Sequence, residues 1–256
     1  MKSEKEAENL KEFVKERYSQ IAREGSSCCS CSDTCGLGVI EQAKNIGYSE
    51  EELKSLPLST NLGLGCGNPT ALAELKEGET VLDLGSGSGI DVFLASKKVG
   101  TEGLVIGVDM TEDMVNKARE IAHQFGYQNV EFRLGEIENL PVQDSSIDVI
   151  ISNCVVNLSP DKLRTYQEAF RVLKPGGRVL ISDLVTEGEI PEDIKKSFAA
   201  WAGCIAGAME KQEYLNTLKK AGFKDIAAVS EKIYYEPGID DRLLGKIISV
   251  QIKAYK

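Results

Sequence analysis

The residues of this 256-residue chain that are best suited to chemistry form a glycine loop between two acids. An apolar run leads to Asp83, and Gly85, Gly87 and Gly89 follow it. A buried parallel strand that turns sharply into a helix needs this pattern, because glycine adopts positive φ and lets the backbone approach a ligand closely. Asp109 ends another apolar run, at a position where a carboxylate accepts hydrogen bonds from ribose hydroxyls. The pattern predicts a nucleotide-cofactor site.

The spacing of the glycines distinguishes between cofactors. A dinucleotide loop, G-x-G-x-x-G/A, needs a small residue where this chain has Ile90, because the pyrophosphate lies against the first helical turn. Residues 83–89 resemble instead the first motif of class I S-adenosylmethionine-dependent methyltransferases. The resemblance implies S-adenosylmethionine as the cofactor, with the following loop residues among those that bind it: Asp83, Gly85, Ser86 and Gly87.

Three later segments extend this resemblance in the expected order. Residues 135–141 resemble the exit of the family's third strand, residues 146–153 its fourth strand, and residues 172–180 the turn into its fifth. The adenine is expected near the first of these segments. The resemblance adds five residues to the cofactor-binding set: Asp109, Met110, Glu136, Ile137 and Asn153.

Strand-like and helix-like segments alternate from residue 80 onward. Strands are predicted near 80–84, 104–109, 130–134, 147–152 and 177–183, with helices near 89–98, 111–125 and 161–173. A helical stretch around 192–220 and strand-like segments near 225–235 and 247–255 follow. The alternation favours an α/β fold. The resemblance implies a Rossmann-like class I methyltransferase, whose mostly parallel seven-stranded sheet has helices on both faces and an antiparallel last strand.

We expect three parts along the chain. Residues 1–60 form an amino-terminal helical arm with a cysteine-rich loop, residues 61–185 form the S-adenosylmethionine-binding core, and residues 186–256 supply substrate-cover helices and the last strands. Apolar residues at helical spacing within 2–24 predict an amphipathic helix that packs on the core. Residues 25–36 are rich in small and polar residues and predict a loop.

Composition excludes several classes of partner. The formal net charge is -10, so the basic surface that nucleic-acid binding requires is not evident. No apolar run approaches the ~18 residues of a membrane span, and we expect a cytoplasmic protein. Seven cysteines without an export signal indicate thiols rather than structural disulfides.

Three isolated cysteines lie where they could act on a bound cofactor. Cys154 directly follows Asn153 at the predicted exit of the fourth strand, Cys66 lies in a glycine turn, and Cys204 lies among small residues. For any one of them alone, a small buried hydrophobic residue is the favoured interpretation. The three together require a second explanation.

The sequences around these cysteines are similar to those of the arsenite methyltransferase family. Residues 152–158 (Ser-Asn-Cys-Val-Val-Asn-Leu) and 201–204 (Trp-Ala-Gly-Cys) carry the resemblance, with Gly-Cys-Gly at 65–67 and a cysteine-bearing amino-terminal segment upstream. It implies that Cys154 and Cys204 bind trivalent arsenic. Cys66 and one loop cysteine, Cys29 or Cys28, are expected to assist in capture and in the redox steps.

Arsenite, or an arsenic-thiol conjugate, is then the substrate. Trivalent arsenic is soft and selects thiolates over oxygen ligands. Methylation oxidises arsenic formally to the pentavalent state, and thiols can return the electrons by forming a disulfide. An external reductant, glutathione-like or thioredoxin-like, is therefore an expected partner. Many relatives place two tyrosines where Leu62 and Leu64 stand here, so an aromatic wall must come from elsewhere, for example from Tyr18.

Three alternatives stay open at the level of sequence. Cys28, Cys31 and Cys35 are close enough along the chain to suggest a bound metal in the loop. The glycine loop fits equally a methyltransferase that acts on a quinone precursor. A soft-metal sensor could use the thiols for binding without turnover.

Overall fold

The computed structural model describes residues 4–24, 35–197, 200–201, 204–235 and 239–256. The helices are α1 (Glu4–Glu24), α2 (Cys35–Asn45), α3 (Glu50–Lys54), α4 (Pro69–Leu72), α5 (Ile90–Val99), α6 (Glu112–Gln124), α7 (Lys162–Val172), α8 (Glu192–Lys195) and α9 (Lys211–Ala221). The strands are β1 (Thr80–Leu84), β2 (Leu104–Asp109), β3 (Val130–Leu134), β4 (Ile147–Asn153), β5 (Leu173–Thr186), β6 (Met209–Glu210), β7 (Lys224–Ile233) and β8 (Ile247–Tyr255). None of the described helices is both long and apolar enough to cross a membrane.

Two short helices begin where capping residues stand in the sequence. The Ser49 hydroxyl accepts a hydrogen bond from the Glu52 amide at 3.1 Å, and the Glu52 carboxylate accepts one from the Ser49 amide at 2.9 Å. This capping box satisfies amides that have no partner inside α3. The Asn68 side-chain oxygen accepts a hydrogen bond from the Ala71 amide and so caps α4, and Pro69 occupies the first position of this helix, where the missing N–H costs nothing.

The main sheet has the strand order β3-β2-β1-β4-β5-β8-β7. Strands β1 to β5 are parallel where they pair, and β8 runs antiparallel to both β5 and β7. Leu84 is in register with Val108 and Ser152, so the carboxyl ends of β1, β2 and β4 meet at one edge. This architecture confirms the predicted class I methyltransferase fold with its antiparallel last strand.

Helices cover both faces of the sheet because alternate strand residues point in opposite directions. Val81 packs with Phe93 and other residues of α5 and α6, whereas Leu82 packs with Tyr166 of α7 and Tyr214 of α9. Each such fully buried apolar side chain contributes roughly 1.5 to 3 kcal/mol. The helix predicted within residues 2–24 is α1, and it packs against α6.

Two predictions of local structure need correction. Cys35 and Gly36 begin α2 rather than lying in the predicted loop, while residues 25–34 of that loop lie outside the described residues. The predicted helical stretch 192–220 is interrupted between α8 and α9. Cys204 adopts a left-handed conformation, and Gly207 lies so close to Asn157 that an added Cβ would be 2.0 Å from its carbonyl oxygen. A continuous helix cannot meet either constraint.

The sheet also contains one strand more than the predicted seven. Strand β6 has two residues, and Val185 and Thr186 of β5 pair with Met209 and Glu210. Strand β5 has 14 residues whereas β4 has 7. The overhanging end of β5 therefore has unpaired backbone groups on the β4 side, and β6 satisfies them.

Candidate active site

A cavity of about 810 Å³ opens at the carboxyl edge of the sheet, against α1. The glycine loop after β1 lines part of it, and Cys154 and Cys204 line another part. Parallel sheets bind ligands at this edge, because the loops that follow the strands leave a crevice there. The volume suits a cofactor or substrate, for which pockets are roughly 300 to 1,000 Å³. One cavity thus contains the predicted cofactor loop and two of the predicted thiols.

The glycine loop has the backbone that its sequence predicts. Gly85, Gly87 and Gly89 have φ values of 67°, 51° and 95°, which lie in the left-handed region that favours glycine. A Cβ added at Gly85 would lie 2.2 Å from the Val155 side chain. The loop therefore packs against the segment that carries Cys154, and it leaves no space there for a larger residue.

Asp109 closes the loop from the neighbouring strand. Its carboxylate accepts hydrogen bonds from the Gly87 amide at 2.9 Å and from the Thr111 amide at 2.8 Å. Two amide donors leave further lone pairs of the carboxylate for a ligand. The buried Ser86 hydroxyl also lines the cavity and makes no hydrogen bond within the described structure. Both groups offer partners to a polar ligand.

Three buried carboxyl groups make this end of the cavity electronegative. Burial, followed by repulsion from Asp91 and Asp109, raises the pKa of Asp83 well above its usual value. Burial raises the pKa of Asp91 to about 6, although hydrogen bonds from Tyr48 and Asn153 oppose that rise. Burial likewise raises the pKa of Asp109. A bound cation would stabilise the ionised form of all three groups, so the site favours a positively charged ligand.

Asn153 connects the cofactor end of the cavity to the first thiol. Its side-chain oxygen accepts the Cys66 amide at 3.0 Å, and its amide nitrogen lies 2.7 Å from the Gly67 carbonyl and 3.3 Å from Asp91. A Cβ added at Gly65 would lie 2.9 Å from the same amide. Gly65 therefore allows this turn to approach the end of β4, and Gly67, whose added Cβ would lie 2.7 Å from Ser182, allows it to approach β5.

Three thiols lie together beside this connection. The Cys66 and Cys154 sulfurs lie within 4.8 Å of each other, the Cys66 thiol donates to the Ser182 carbonyl oxygen at 3.6 Å, and the Cys204 thiol donates to the Cys154 carbonyl oxygen at 2.8 Å. Cys154 and Cys204 have φ values of 59° and 64°. A left-handed conformation costs a non-glycine residue about 1 to 2 kcal/mol. The surrounding structure maintains this strain, which is characteristic of functional sites.

The thiols are protonated at neutral pH in this environment. Burial raises the pKa of Cys66 to about 11. Burial raises the pKa of Cys154 well above its usual value, and for Cys204 the hydrogen bond with Cys154 and then burial have the same effect. The thiols share a hydrophobic cluster with buried apolar side chains that include Leu158, Leu184, Ile190, Trp201 and Ile205.

Helix α1 supplies one wall of the cavity. Tyr18 faces the cavity, and burial and then the proximity of Cys204 and Cys154 raise its pKa well above the usual value. The ring therefore lies near two of the thiols. Lys11 forms ion pairs with Glu136 at 2.7 Å and Glu138 at 3.2 Å, and these pairs attach α1 to the loop after β3.

The structure brings together most of the residues predicted from sequence. Those that line the cavity are Asp83, Gly85, Ser86, Gly87, Asp109, Met110, Ile137, Asn153, Cys154 and Cys204. Cys66 does not line it but touches it through Asn153 and Cys154. The Glu136 side chain is 53% exposed and pairs with Lys11, so it lies outside the lining. Cys29 lies outside the described residues, as does Cys28.

Sequence reasoning missed three buried polar residues of the site. Asp91 follows the glycine loop at the second position of α5, and this place beside a cofactor loop was a usable signal. Tyr48 donates a hydrogen bond to Asp91 at 2.8 Å across 43 residues, and no local pattern indicates it. Asp183 lies within β5, where Leu184 and Val185 continue the strand, and it lies beside Cys66 and Cys154. No glycine loop follows it as one follows Asp83, so the rule that selected Asp83 does not find it.

Comparisons with known proteins agree with this geometry. The methyltransferase domain family matches residues 75–222. An arsenite methyltransferase of Halobacterium salinarum is 44% identical over 272 aligned positions, which cover 100% of this chain and 69% of that protein. An arsenite methyltransferase of Mus musculus is 35% identical, with coverage of 93% of this chain and 61% of that protein. Both relatives are thus longer than this chain.

A solved structure gives the same result. The crystal structure of CrArsM, an arsenic (III) S-adenosylmethionine methyltransferase from Chlamydomonas reinhardtii, superposes with a TM-score of 0.66 at 33% identity. The alignment covers 84% of this chain and 72% of that one. The fold, the cavity with its glycine loop and thiols, and these relatives together place the chain in the arsenite methyltransferase family of S-adenosylmethionine-dependent enzymes.

Proposed function

We propose that this chain transfers a methyl group from S-adenosylmethionine to trivalent arsenic that its own thiols hold, and so detoxifies arsenite. The observation that supports this proposal most strongly is the shared cavity. Cys154 and Cys204 line the same space as Asp109 and the glycine loop. Well-oriented reactants can save roughly 7 to 11 kcal/mol of a barrier. No general base is needed, because the arsenic lone pair that attacks the methyl group carries no proton.

The residues at the glycine end suit S-adenosylmethionine. The Asp109 carboxylate is positioned to accept ribose hydroxyls, and the unpartnered Ser86 hydroxyl provides another polar contact. The ionised acids attract the positive charges of the sulfonium and the amino group. We assign cofactor binding to Asp83, Gly85, Ser86, Gly87, Asp109, Met110, Glu136, Ile137 and Asn153. When bound, the cofactor supplies an electrophilic methyl group, and its transfer forms an As–C bond as the S–C bond breaks.

Cys66, Cys154 and Cys204 would hold the arsenic. Each protonated thiol can condense with arsenous acid, so one As–S bond replaces one As–O bond and one water molecule leaves. Three such exchanges give a pyramidal As(III) centre whose lone pair stays free. Among the described residues, no thiol lies at the electronegative end of the cavity, and we expect arsenic to stay at the sulfur end.

Methyl transfer oxidises arsenic by two electrons, and a second round requires their return. Two thiols of the site can supply both electrons by forming one disulfide, with loss of two protons. A glutathione-like or thioredoxin-like reductant would then reduce that disulfide. We expect a loop cysteine, with Cys29 as the first choice, to take part in capture or in this exchange.

Reciprocal substitutions test the proposal. We expect Cys154→Ser and Cys204→Ser to abolish methylation and arsenite binding while changing S-adenosylmethionine affinity less than about threefold. Asp109→Asn should show the opposite pattern, with weakened cofactor binding and unchanged arsenite binding. Calorimetric titration measures both affinities, and chromatographic speciation of arsenic measures turnover. Retained turnover in both cysteine variants would overturn the assignment. Tight binding of both ligands without methylated product would favour a sensor.

A further inference from the structure

Asp183 is a buried carboxyl group that the proposed reaction does not use. It follows Ser182 on β5 and is 0% exposed. One of its carboxylate oxygens, the Cys66 sulfur and the Cys154 sulfur all lie within 4.8 Å of one another. Two sulfurs and one oxygen thus converge at a point on the sheet side of the cavity.

Neighbouring residues hold the Asp183 carboxylate and the Cys66 backbone in place. The Tyr214 hydroxyl donates to one Asp183 oxygen at 3.1 Å, and the Leu184 amide donates to the other at 3.0 Å. The Cys66 backbone is fixed on both sides, because its amide donates to Asn153 and its carbonyl accepts from Ser249 at 2.8 Å. Groups that orient ligands in this way are characteristic of metal sites.

The dimensions suit a tetrahedral cation. Zinc binds sulfur at about 2.3 Å and carboxylate oxygen at about 2.0 to 2.2 Å, so in a tetrahedral site two sulfurs lie roughly 3.8 Å apart and a sulfur and an oxygen roughly 3.5 to 3.7 Å apart. Because each separation here is at most 4.8 Å, the contraction needed is at most about 1 to 1.3 Å, within the reach of side-chain rotation. Thiolates select Zn²⁺ and Cd²⁺ over Mg²⁺ and Ca²⁺, which prefer oxygen.

We propose that Cys66, Cys154 and Asp183 form a binding site for a thiophilic divalent cation such as Zn²⁺ or Cd²⁺, with one coordination position open. The cation displaces the two thiol protons and is held by two thiolates and one carboxylate. Cys204 is not among these ligands, because its sulfur does not belong to the group of three ligand atoms that lie within 4.8 Å of one another. The cation and arsenite therefore share two cysteines and differ in the third ligand.

A titration of the reduced protein with Cd²⁺ tests the site, with a phosphine as reductant and sulfur-to-metal charge-transfer absorption as the signal. We expect Asp183→Asn to weaken Cd²⁺ binding at least tenfold while arsenite affinity stays within threefold. Cys204→Ser should show the reverse, with loss of arsenite binding and Cd²⁺ affinity within threefold. Tyr214→Phe retains the Asp183 carboxylate but removes the hydroxyl that donates a hydrogen bond to it. Loss of such an outer-shell partner typically weakens metal binding about 10- to 100-fold, and we expect Cd²⁺ affinity to fall accordingly. Unchanged Cd²⁺ binding in Asp183→Asn, with loss in Cys204→Ser, would overturn the proposal.

X-ray absorption of the Cd²⁺-loaded wild-type protein keeps the test decisive if Asp183→Asn does not fold. We expect two sulfur neighbours together with oxygen; three sulfurs would contradict the site. A kinetic test rests on the proposed function: Cd²⁺ should raise the apparent KM for arsenite and leave that for S-adenosylmethionine unchanged. If the chain methylates nothing, the kinetic test fails, but the two binding results remain and still decide whether the cation site exists.

Discussion

Asn153→Ala should lower both the free energy of unfolding and the affinity for arsenite, and a matched control variant separates the two effects. The substitution removes the hydrogen-bond partners of the Cys66 amide and the Gly67 carbonyl, as well as one partner of Asp91. A buried backbone group left without a partner costs about 1 to 3 kcal/mol. Both backbone interactions are part-buried, so we take the lower value for each and expect a loss of about 2 kcal/mol.

Scanning calorimetry and arsenite titration measure the two effects. For a chain of this size, 1 kcal/mol shifts Tm by about 2 to 4 °C, so Tm should fall by about 4 to 8 °C. Arsenite affinity should fall about tenfold, because the turn that positions Cys66 is released. The fluorescence of Trp201, the single tryptophan, reports binding because this residue packs in the same cluster as the thiols.

Asn129→Ala is the matched control for this substitution. The Asn129 amide donates to two backbone carbonyls, those of Ser96 at 2.9 Å and Gly100 at 2.8 Å, and it does not line the cavity. It should lower Tm by a similar amount and leave arsenite affinity unchanged. If Asn153→Ala behaves in the same way, the connection between the end of β4 and the thiol turn is not functional, and the reasoning is refuted.

Three further outcomes are expected. Gly85→Ala should weaken S-adenosylmethionine binding at least tenfold in a calorimetric titration, because its Cβ would lie 2.2 Å from Val155, and Val155→Ala in the same chain should restore part of the loss. Arsenite affinity should change less than threefold between pH 6 and 8. A Cys66 pKa of about 11 leaves about one thiolate in a thousand at pH 8, and the condensation of thiols with arsenous acid releases water rather than protons. A tenfold rise in arsenite affinity per pH unit would refute this expectation. Burial raises the pKa of Asp183 to about 7, so the folded state binds this proton more tightly than the unfolded chain, and the free energy of unfolding should fall as pH rises from 4 through 7. Denaturant titration should show that this fall in the free energy of unfolding is smaller in Asp183→Asn than in the wild-type protein, by at most roughly 4 kcal/mol. A pH profile of Asp183→Asn identical to that of the wild-type protein would contradict this expectation.

Local patterns predicted the sheet well. Strands β1, β2 and β3 have the predicted bounds, because β1 and β2 are short, mostly apolar runs and β3 alternates apolar and charged residues, each between clear turn signals. The segment between α8 and α9 could not be predicted, because contact of Gly207 with Asn157 and the left-handed Cys204 depend on tertiary packing. Local propensity favoured a helix there, and tertiary contacts overrode it.

Part of the site was predictable because its residues lie at the ends of predicted strands. Residues at the carboxyl ends of strands, such as Asp109 of β2 and Asn153 of β4, reach the cavity because the topology fixes the ends of parallel strands. The Glu136 carboxylate pairs with Lys11 of α1, which is 125 residues away in sequence. The sequence contains no local signal for that contact, nor for the hydrogen bond from Tyr48 to Asp91.

Label transfer in a single turnover tests whether this chain moves a methyl group from S-adenosylmethionine to arsenic that its thiols hold. Reduced protein in excess would be mixed with arsenite and S-adenosylmethionine that carries a deuterated methyl group, and the products separated by chromatography with mass detection. We expect wild-type protein to form trideuteriomethyl arsenic, up to one equivalent per arsenite, and we expect the Cys204→Ser variant to form none. Unmethylated arsenic from wild-type protein that binds both ligands would contradict it.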